Sequence, residues 1–243
     1  MNGLRLASIY GYLPSNLGFC GRGFPGAAQI LADFLKGKKI EIKKVRQALS
    51  GFEAAYSYYR LIAKVNRIAD PLDLRVVSAY WLGNELLDKV KISDLQKLIL
   101  KDFCRPDLLL GQQAAEKSEA IPKGIKPQHS FHVLFLGSVT GRVKFNTRLR
   151  DLCRISWGKV AKIYKKQLKV KYQPLIFKKN RFYLGKPAEK MVSRQKFILP
   201  KVEVGDLVSF HWNLACQVLS SKEAKNLARY TLLNIQAINE RRK

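Results

Sequence analysis

Two cassettes in the second half of the chain constrain its fold more than any other feature of the sequence. CRISWGKV, from Cys153 to Val160, sets a thiol immediately before a β-type run. GDLVSFHWNLACQVLSSKEA, from Gly205 to Ala224, carries a second β-type run with His211 in it and then passes into a helix. Ser220 and Glu223 open that helix as a capping box. The spacing predicts strands over Arg154 to Tyr164, Leu168 to Phe177, Arg181 to Leu184 with a continuation toward Val192, and Asp206 to Trp212, with lysine-rich turns between them. Such short strands suit a small barrel. In the last helix Ala224, Leu227, Ala228, Thr231, Ile235 and Ile238 form one apolar stripe, expected to pack on that barrel.

The first 111 residues follow a helical period instead. Pro25-Gly26 precedes an amphipathic stretch, Ala27 to Lys36, that Gly37 stops. Ser50 and Glu53 fit a capping box ahead of Phe52, Ala55, Tyr56, Tyr59, Ala63 and Val65. Asp70-Pro71 opens a third helix through Val76, Tyr80 and Trp81 to Gly83-Asn84. Ser93 opens a fourth, with Leu95, Leu98, Ile99 and Phe103 on one side. These aromatic stripes read as core. The polar stretch 112–128, broken by Pro122, Gly124 and Pro127, reads as a linker, and HSFHVLFLG, from His129 to Gly137, as a β-like run inside a connecting strand and basic segment, 129–150.

Charge is the second strong signal. Forty-five Lys and Arg oppose eighteen Asp and Glu, a net +27, and between Arg142 and Pro200 eighteen basic residues face two acidic ones, Asp151 and Glu189. Such a field speeds encounters with polyanions or acidic proteins. No apolar run approaches the ~18 residues that span a bilayer, and the stretch after Arg5 is broken by tyrosines, Pro14 and Asn16, so a cytoplasmic protein without a membrane partner is expected. Four widely spaced cysteines do not make a disulfide scaffold, and Cys20, in the glycine-punctuated loop LGFCGRG where burial alone does not explain it, joins the candidate metal- or partner-binding residues. The chain has no Gly-rich phosphate loop, Gly-x-Ser-x-Gly elbow or His-Glu-x-x-His, which argues against a hydrolase or a nucleotide-driven enzyme.

The residues able to carry chemistry are few. The three histidines are His129, His132 and His211, and imidazole and thiolate are common metal ligands. In a strand, His129 and His132 would face opposite sides unless Ser130 bulged, and a metal-dependent enzyme would need both to converge with His211. Cys153 has Arg150 and Arg154 beside it and Lys159 nearby, cations that would favour the thiolate; the other reading is a barrel-core cysteine. His211 is either a ligand or a core histidine held by a backbone carbonyl, and Cys216 either shares its site or packs. A different class of function, an OB-like nucleic-acid-binding module, would use Tyr164, Tyr172, Phe177, Phe182 and Tyr183 for stacking with Lys165, Lys166, Lys178 and Lys179 as the basic surface.

The two cassettes resemble the HypC/HupF hydrogenase maturation chaperones. Cys153, Gly158, Lys159, Val160, Gly205, Asp206, Val208, His211, Ala215, Glu223 and Ala224 fall on that family's pattern in order, over roughly the last ninety residues. Three departures stand out: Cys153 is internal, so it lacks the free amine of an N-terminal cysteine, Trp157 replaces a proline, and Asn213 a glycine. The first half, in YLPSNLGFCG (Tyr12 to Gly21), ADPLDLRVVSAYWLGNELLDKV (Ala69 to Val90) and PQHSFHV (Pro127 to Val133), is similar to an uncharacterised prokaryotic domain family. The resemblance implies an α+β chain, an N-terminal all-helical domain (1–111) followed by a small OB-like β-barrel with a C-terminal helix (151–243). It also implies a chaperone-like role in which Cys153, with His211 beside it, binds iron as a ligand complex or a cysteine of a partner protein, that partner being a protein of hydrogenase maturation or the hydrogenase large-subunit precursor.

Overall fold

The computed structural model describes residues 1–19, 26–141 and 143–242, so the expectation placed on Cys20 lies outside the described residues. The fold is mixed α/β, with helices in the N-terminal half, a sheet of short strands and a C-terminal helix. Helices α1 (Gly3–Asn16), α2 (Ala27–Leu35), α3 (Ile42–Ser50), α4 (Ala55–Val65), α5 (Leu74–Trp81) and α6 (Ile92–Lys97) build the first half, with α6 continuing as a wider turn over Leu98–Phe103. Helices α1 and α3 are additions to the expected set. Ser50 ends α3, its hydroxyl donating back to the Gln47 carbonyl, so the expected capping box with Glu53 does not form. Asp73, not Asp70, caps α5, accepting from the Arg75 amide at 2.8 Å, while Asp70 pairs with Arg46.

Two expected non-helical stretches are helical. Helix α7 (Gly111–Glu119) fills the first half of the expected linker, where Ala114 and Ser118, one helical turn apart, are buried. The expected β-like run is α8 (His129–Phe131) continuing as a π turn over His132–Leu136. It is buried on nearly every side, and a run apolar all round lacks the periodicity that separates a strand from a core helix. After it, α9 (Thr147–Cys153) makes Cys153 the last residue of a helix.

The strands are β1 (Ser156–Ile163), β2 (Gln167–Tyr172), β3 (Leu175–Lys178), β4 (Arg181–Leu184), β5 (Ala188–Ser193), β6 (Leu207–His211) and β7 (Leu214–Val218), followed by α10 (Ser221–Arg241) with its Ser220/Glu223 capping box. Pro174 and Pro187, which lack a ladder N–H, divide the two longer expected strands and set β3–β4 apart as a separate hairpin. Strand β7 is a further addition. The turn before it places Trp212 and Asn213 at φ +50° and +62°, the left-handed pair that a two-residue hairpin requires. Pairing runs β1–β2–β5–β7–β6 and returns to β1, with the β5–β7 link resting on one parallel pair, Ser193 and Leu214. Gly158 lets β1 cross close to β2, since a Cβ there would stand 2.7 Å from the Lys171 carbonyl oxygen.

Two cores result. A small one inside the ring of strands joins Val160, Leu168, Val170, Val192, Val208 and Phe210. A much larger one runs from α1 through α10 and takes in Cys153, Trp212, Leu214 and Cys216 from the β-rich half. Helix α10 belongs to the second. Asn234 binds the Lys126 backbone and Ser130, Asn239 binds the Phe182 backbone, and the Tyr230 ring lies against Gly83. The C-terminal helix therefore packs on the helical half and the β3–β4 hairpin, a correction to its expected seat on the barrel. No helix among the described residues is long and apolar enough to cross a membrane.

Candidate metal centre

Three elements converge where the two cores meet: α8 supplies His129, the end of α9 Cys153, and the end of β6 His211. Each offers one ligand atom within 4.8 Å of the other two. His129 Nε2 lies 3.8 Å from Cys153 Sγ. All three are buried, at 5%, 5% and 2% exposure. Because 129–136 is helical, His132 falls on the same side as His129, their rings stacked with centroids 6.2 Å apart; the opposite-face expectation is overturned with the strand that motivated it. His132 and Trp212 join these three residues in lining a cavity of about 40 Å³, large enough to admit a water-sized guest.

The hydrogen bonds fix which nitrogens are available. Carbonyl oxygens only accept, so His211 Nδ1 donates to the Tyr10 carbonyl at 2.9 Å, and its buried Nε2 completes no hydrogen bond and keeps its lone pair, with the Cys153 carbonyl near enough to favour a proton on the ring. His129 Nε2 donates to the Cys153 carbonyl at 2.9 Å while its Nδ1 accepts from the Tyr80 hydroxyl, also at 2.9 Å. His132 Nδ1 and Trp212 Nε1 are likewise buried without partners. Burial pushes His211 and His132 down to about 4. Burial first, then the neighbouring His211 and His132, hold His129 well below the usual imidazole range. All three rings are thus neutral at pH 7, the form that binds metals.

The expected surroundings of Cys153 differ in detail. Arg154, 1% exposed, turns to Asp151, its Nε donating to Oδ1 at 3.0 Å. Arg150 donates to the Val133 carbonyl and lies over the Phe145 and Phe182 rings, keeping an electrostatic contact with Cys153. Lys159 is at the surface. Of the three cations expected to favour the thiolate, only Arg150 acts there. Cys216 stays out of the ligand group: its thiol donates to the Leu214 carbonyl at 3.3 Å, and burial raises its pKa. Tyr10 and Tyr80, which hold the two imidazoles, were not singled out for chemistry. Tyr80 has one sequence signal, a tyrosine in an otherwise apolar stripe, a buried ring with a hydroxyl to place, whereas Tyr10 acts through its main-chain carbonyl, which no side chain announces.

The residues of the nucleic-acid reading divide. Tyr172 is buried, its hydroxyl donating to Asp151 at 2.9 Å, and Phe182 is 3% exposed. Tyr164, Phe177 and Tyr183 are exposed, as are Lys165, Lys166, Lys178 and Lys179. Tyr164 sits beyond the end of β1, whereas Phe177 pairs across the hairpin with Phe182 and Tyr183 with Ile176, which puts Phe177 and Tyr183 on opposite faces.

Fold and site together define a mixed helical and β-ring protein with a buried His-Cys-His centre at the seam. The chain belongs to DUF6390, a family of unknown function whose family model matches residues 1–243, so a single family spans both halves. No curated protein and no solved structure matches the chain.

Proposed function

We propose that the protein holds a transition-metal ion at His129, Cys153 and His211 and that this centre is its working part. The observation that carries the reading is the buried, unpartnered Nε2 of His211 facing a thiol and a second imidazole. An orphaned acceptor in the interior is costly, and a metal is the partner this donor set fits. Two neutral imidazoles and one thiolate suit borderline and soft ions such as Zn(II), Fe(II) or copper, with a fourth position left for a water or an exchangeable ligand.

Within that reading, the role implied by HypC/HupF, a cytoplasmic accessory protein that carries iron for hydrogenase maturation, has two supports. Gly158-Lys159-Val160 lies on β1 and Gly205-Asp206 leads into β6, the strand that ends at His211. Counted without the β3–β4 hairpin, the strand order is 1-2-3-5-4 with return to 1, the Greek-key order of an OB-like barrel. The exposed thiol that direct capture of a partner cysteine would need is absent from this geometry, since Cys153 is 5% exposed; metal retention fits it better. The nucleic-acid alternative has less support, because Tyr172 and Phe182 are buried and Phe177 and Tyr183 face opposite ways.

Titrating the metal-free chain with Co(II) tests the centre. Wild type is expected to take up one equivalent with a thiolate-to-cobalt absorption band, and Cys153→Ser and His211→Ala to lose both. Uptake and band unchanged in the double variant would sink the proposal. Co-purification of iron and a hydrogenase large-subunit precursor with wild type but not with Cys153→Ser tests the maturation role separately.

A further inference from the structure

A second concave site lies outside the metal centre, between α7, the π turn and the C-terminal end of α10. It is a cleft of about 510 Å³, within the range of small-molecule pockets. Lys117 from α7, Arg241 at the end of α10 and Arg242 just after it line the cleft, with Gln113 as a further donor. Its floor is apolar, built by Leu109, Leu134, Leu136 and Ile238. Arg150 adds its charge from α9: burial first and Arg150 second press Lys117 below the ordinary lysine range, and burial with Arg242 does the same to Arg150.

Three cations, Lys117, Arg241 and Arg242, therefore line one half-enclosed space, with Arg150 close enough to add its field. Lys117 makes no ion pair among the described residues. Among the described residues one carboxylate lines the cleft, that of Glu116, which accepts from Gln112 at 3.1 Å and offsets part of the field on Lys117. Arg242 is held in place by Asn180, at 3.2 Å, and by the Phe177 and Phe182 rings it covers. Cations that only solvate a surface spread apart into water. Here Lys117 is drawn out of water beside an apolar floor, with Arg241 and Arg242 lining the same cleft, a positive field that an anion would offset.

We propose that this cleft binds a small anionic ligand with an apolar body, an aryl or acyl phosphate or carboxylate, whose oxyanion sits among Lys117, Arg241 and Arg242. The forked guanidinium groups suit a planar carboxylate or two phosphate oxygens, and the leucine floor takes the body. The site is independent of the metal reading and stands or falls without it.

Calorimetric titration of the full chain with phenyl phosphate, benzoate and inorganic phosphate, at low and at high salt, tests it. Phenyl phosphate or benzoate is expected to bind saturably and more tightly than inorganic phosphate, with affinity falling as salt rises. Lys117→Met with Arg241→Met should weaken that binding by about tenfold or more. The ligand-free double variant should melt no lower than wild type, because like charges have been separated. Binding unchanged in the double variant, no saturable binding by wild type, or inorganic phosphate binding as well as phenyl phosphate would each overturn the proposal, and so would a clear loss of ligand-free stability, which marks the cations as structural.

Discussion

Two buried polar clusters meet within four residues of chain, and they are built on opposite principles. Asp151 and Arg154 form an ion pair whose remaining capacity is filled: Asp151 also accepts from the Leu175 amide at 2.8 Å and from the Tyr172 hydroxyl at 2.9 Å, with Lys190 3.7 Å away, and Arg154 also reaches the Gln173 carbonyl. Beside it, His129, Cys153, His132 and His211 surround a cavity, and two of their ring nitrogens have no partner. A closed network pins α9 to β2 and β3. An open one leaves coordination capacity for something that is not protein. The difference separates polar burial that serves the fold from polar burial that serves a ligand.

The largest expected effect tests the closed cluster. Asp151→Ala would strand the Arg154 guanidinium in the interior, and removing one partner of a buried pair costs about 3–5 kcal/mol. Chemical denaturation with and without added metal is the measurement: the loss should be the same in both. A loss under about 1 kcal/mol would show that water reaches Arg154 and would erase the contrast.

Metal addition tests the open cluster. An ion that binds only the folded chain stabilises it by about 2.7 kcal/mol at a hundredfold excess over Kd. Wild type should gain that shift in a thermal melt, and Cys153→Ser should gain none. An equal shift in both would place the ion elsewhere.

How much of this could be read from the sequence depends on where each partner lies along the chain. The capping box of α10, the stop at Gly37 and the strands after Cys153 and Gly205 are local signals, and they appear in the structure. The β-like reading of His129–Leu136 failed because that run is buried almost all round, and with it went the convergence of His129 and His132 with the ligand group. Cys153 and His211 were legible as a pair from their cassettes. Tyr10 and Tyr80 were not, because Tyr10 meets His211 across 201 residues and Tyr80 meets His129 across 49, contacts that no periodicity encodes. The seat of α10 was missed for the same reason: its stripe says that it packs, and Asn234 and Asn239 say on what.

pH gives a finer probe of the open cluster in the metal-free chain. His211 and His132 are held down to about 4 from an unfolded value near 6.5, so the unfolded chain binds their protons first as pH falls. Their stability contribution is full above about 6.5 and is lost as pH drops toward 4, at about 1.4 kcal/mol per pH unit for each ring. His132→Phe should remove one ring's share of that slope and leave stability at pH 7 nearly unchanged, because an unpartnered nitrogen is exchanged for a ring carbon. A slope identical to wild type between pH 4 and 6.5 would show that His132 already titrates normally in the fold.

A modest change in stability carries the sharpest distinction. Tyr80→Phe deletes the hydroxyl that faces His129 Nδ1 at 2.9 Å. In the metal-free chain the loss of the bond to His129 costs about 1 kcal/mol. A hydroxyl can accept as well as donate, so the same Tyr80 can serve either tautomer of His129: it donates to Nδ1 when Nε2 carries the proton, and accepts from Nδ1–H when Nε2 gives its lone pair to a metal. Such outer partners typically hold about 10- to 100-fold of metal affinity. A Co(II) affinity that drops tenfold or more, alongside so small a loss of stability, would place Tyr80 in the support of the centre. An affinity equal to wild type would leave His129 outside the ligand set and reduce the open cluster to Cys153 and His211.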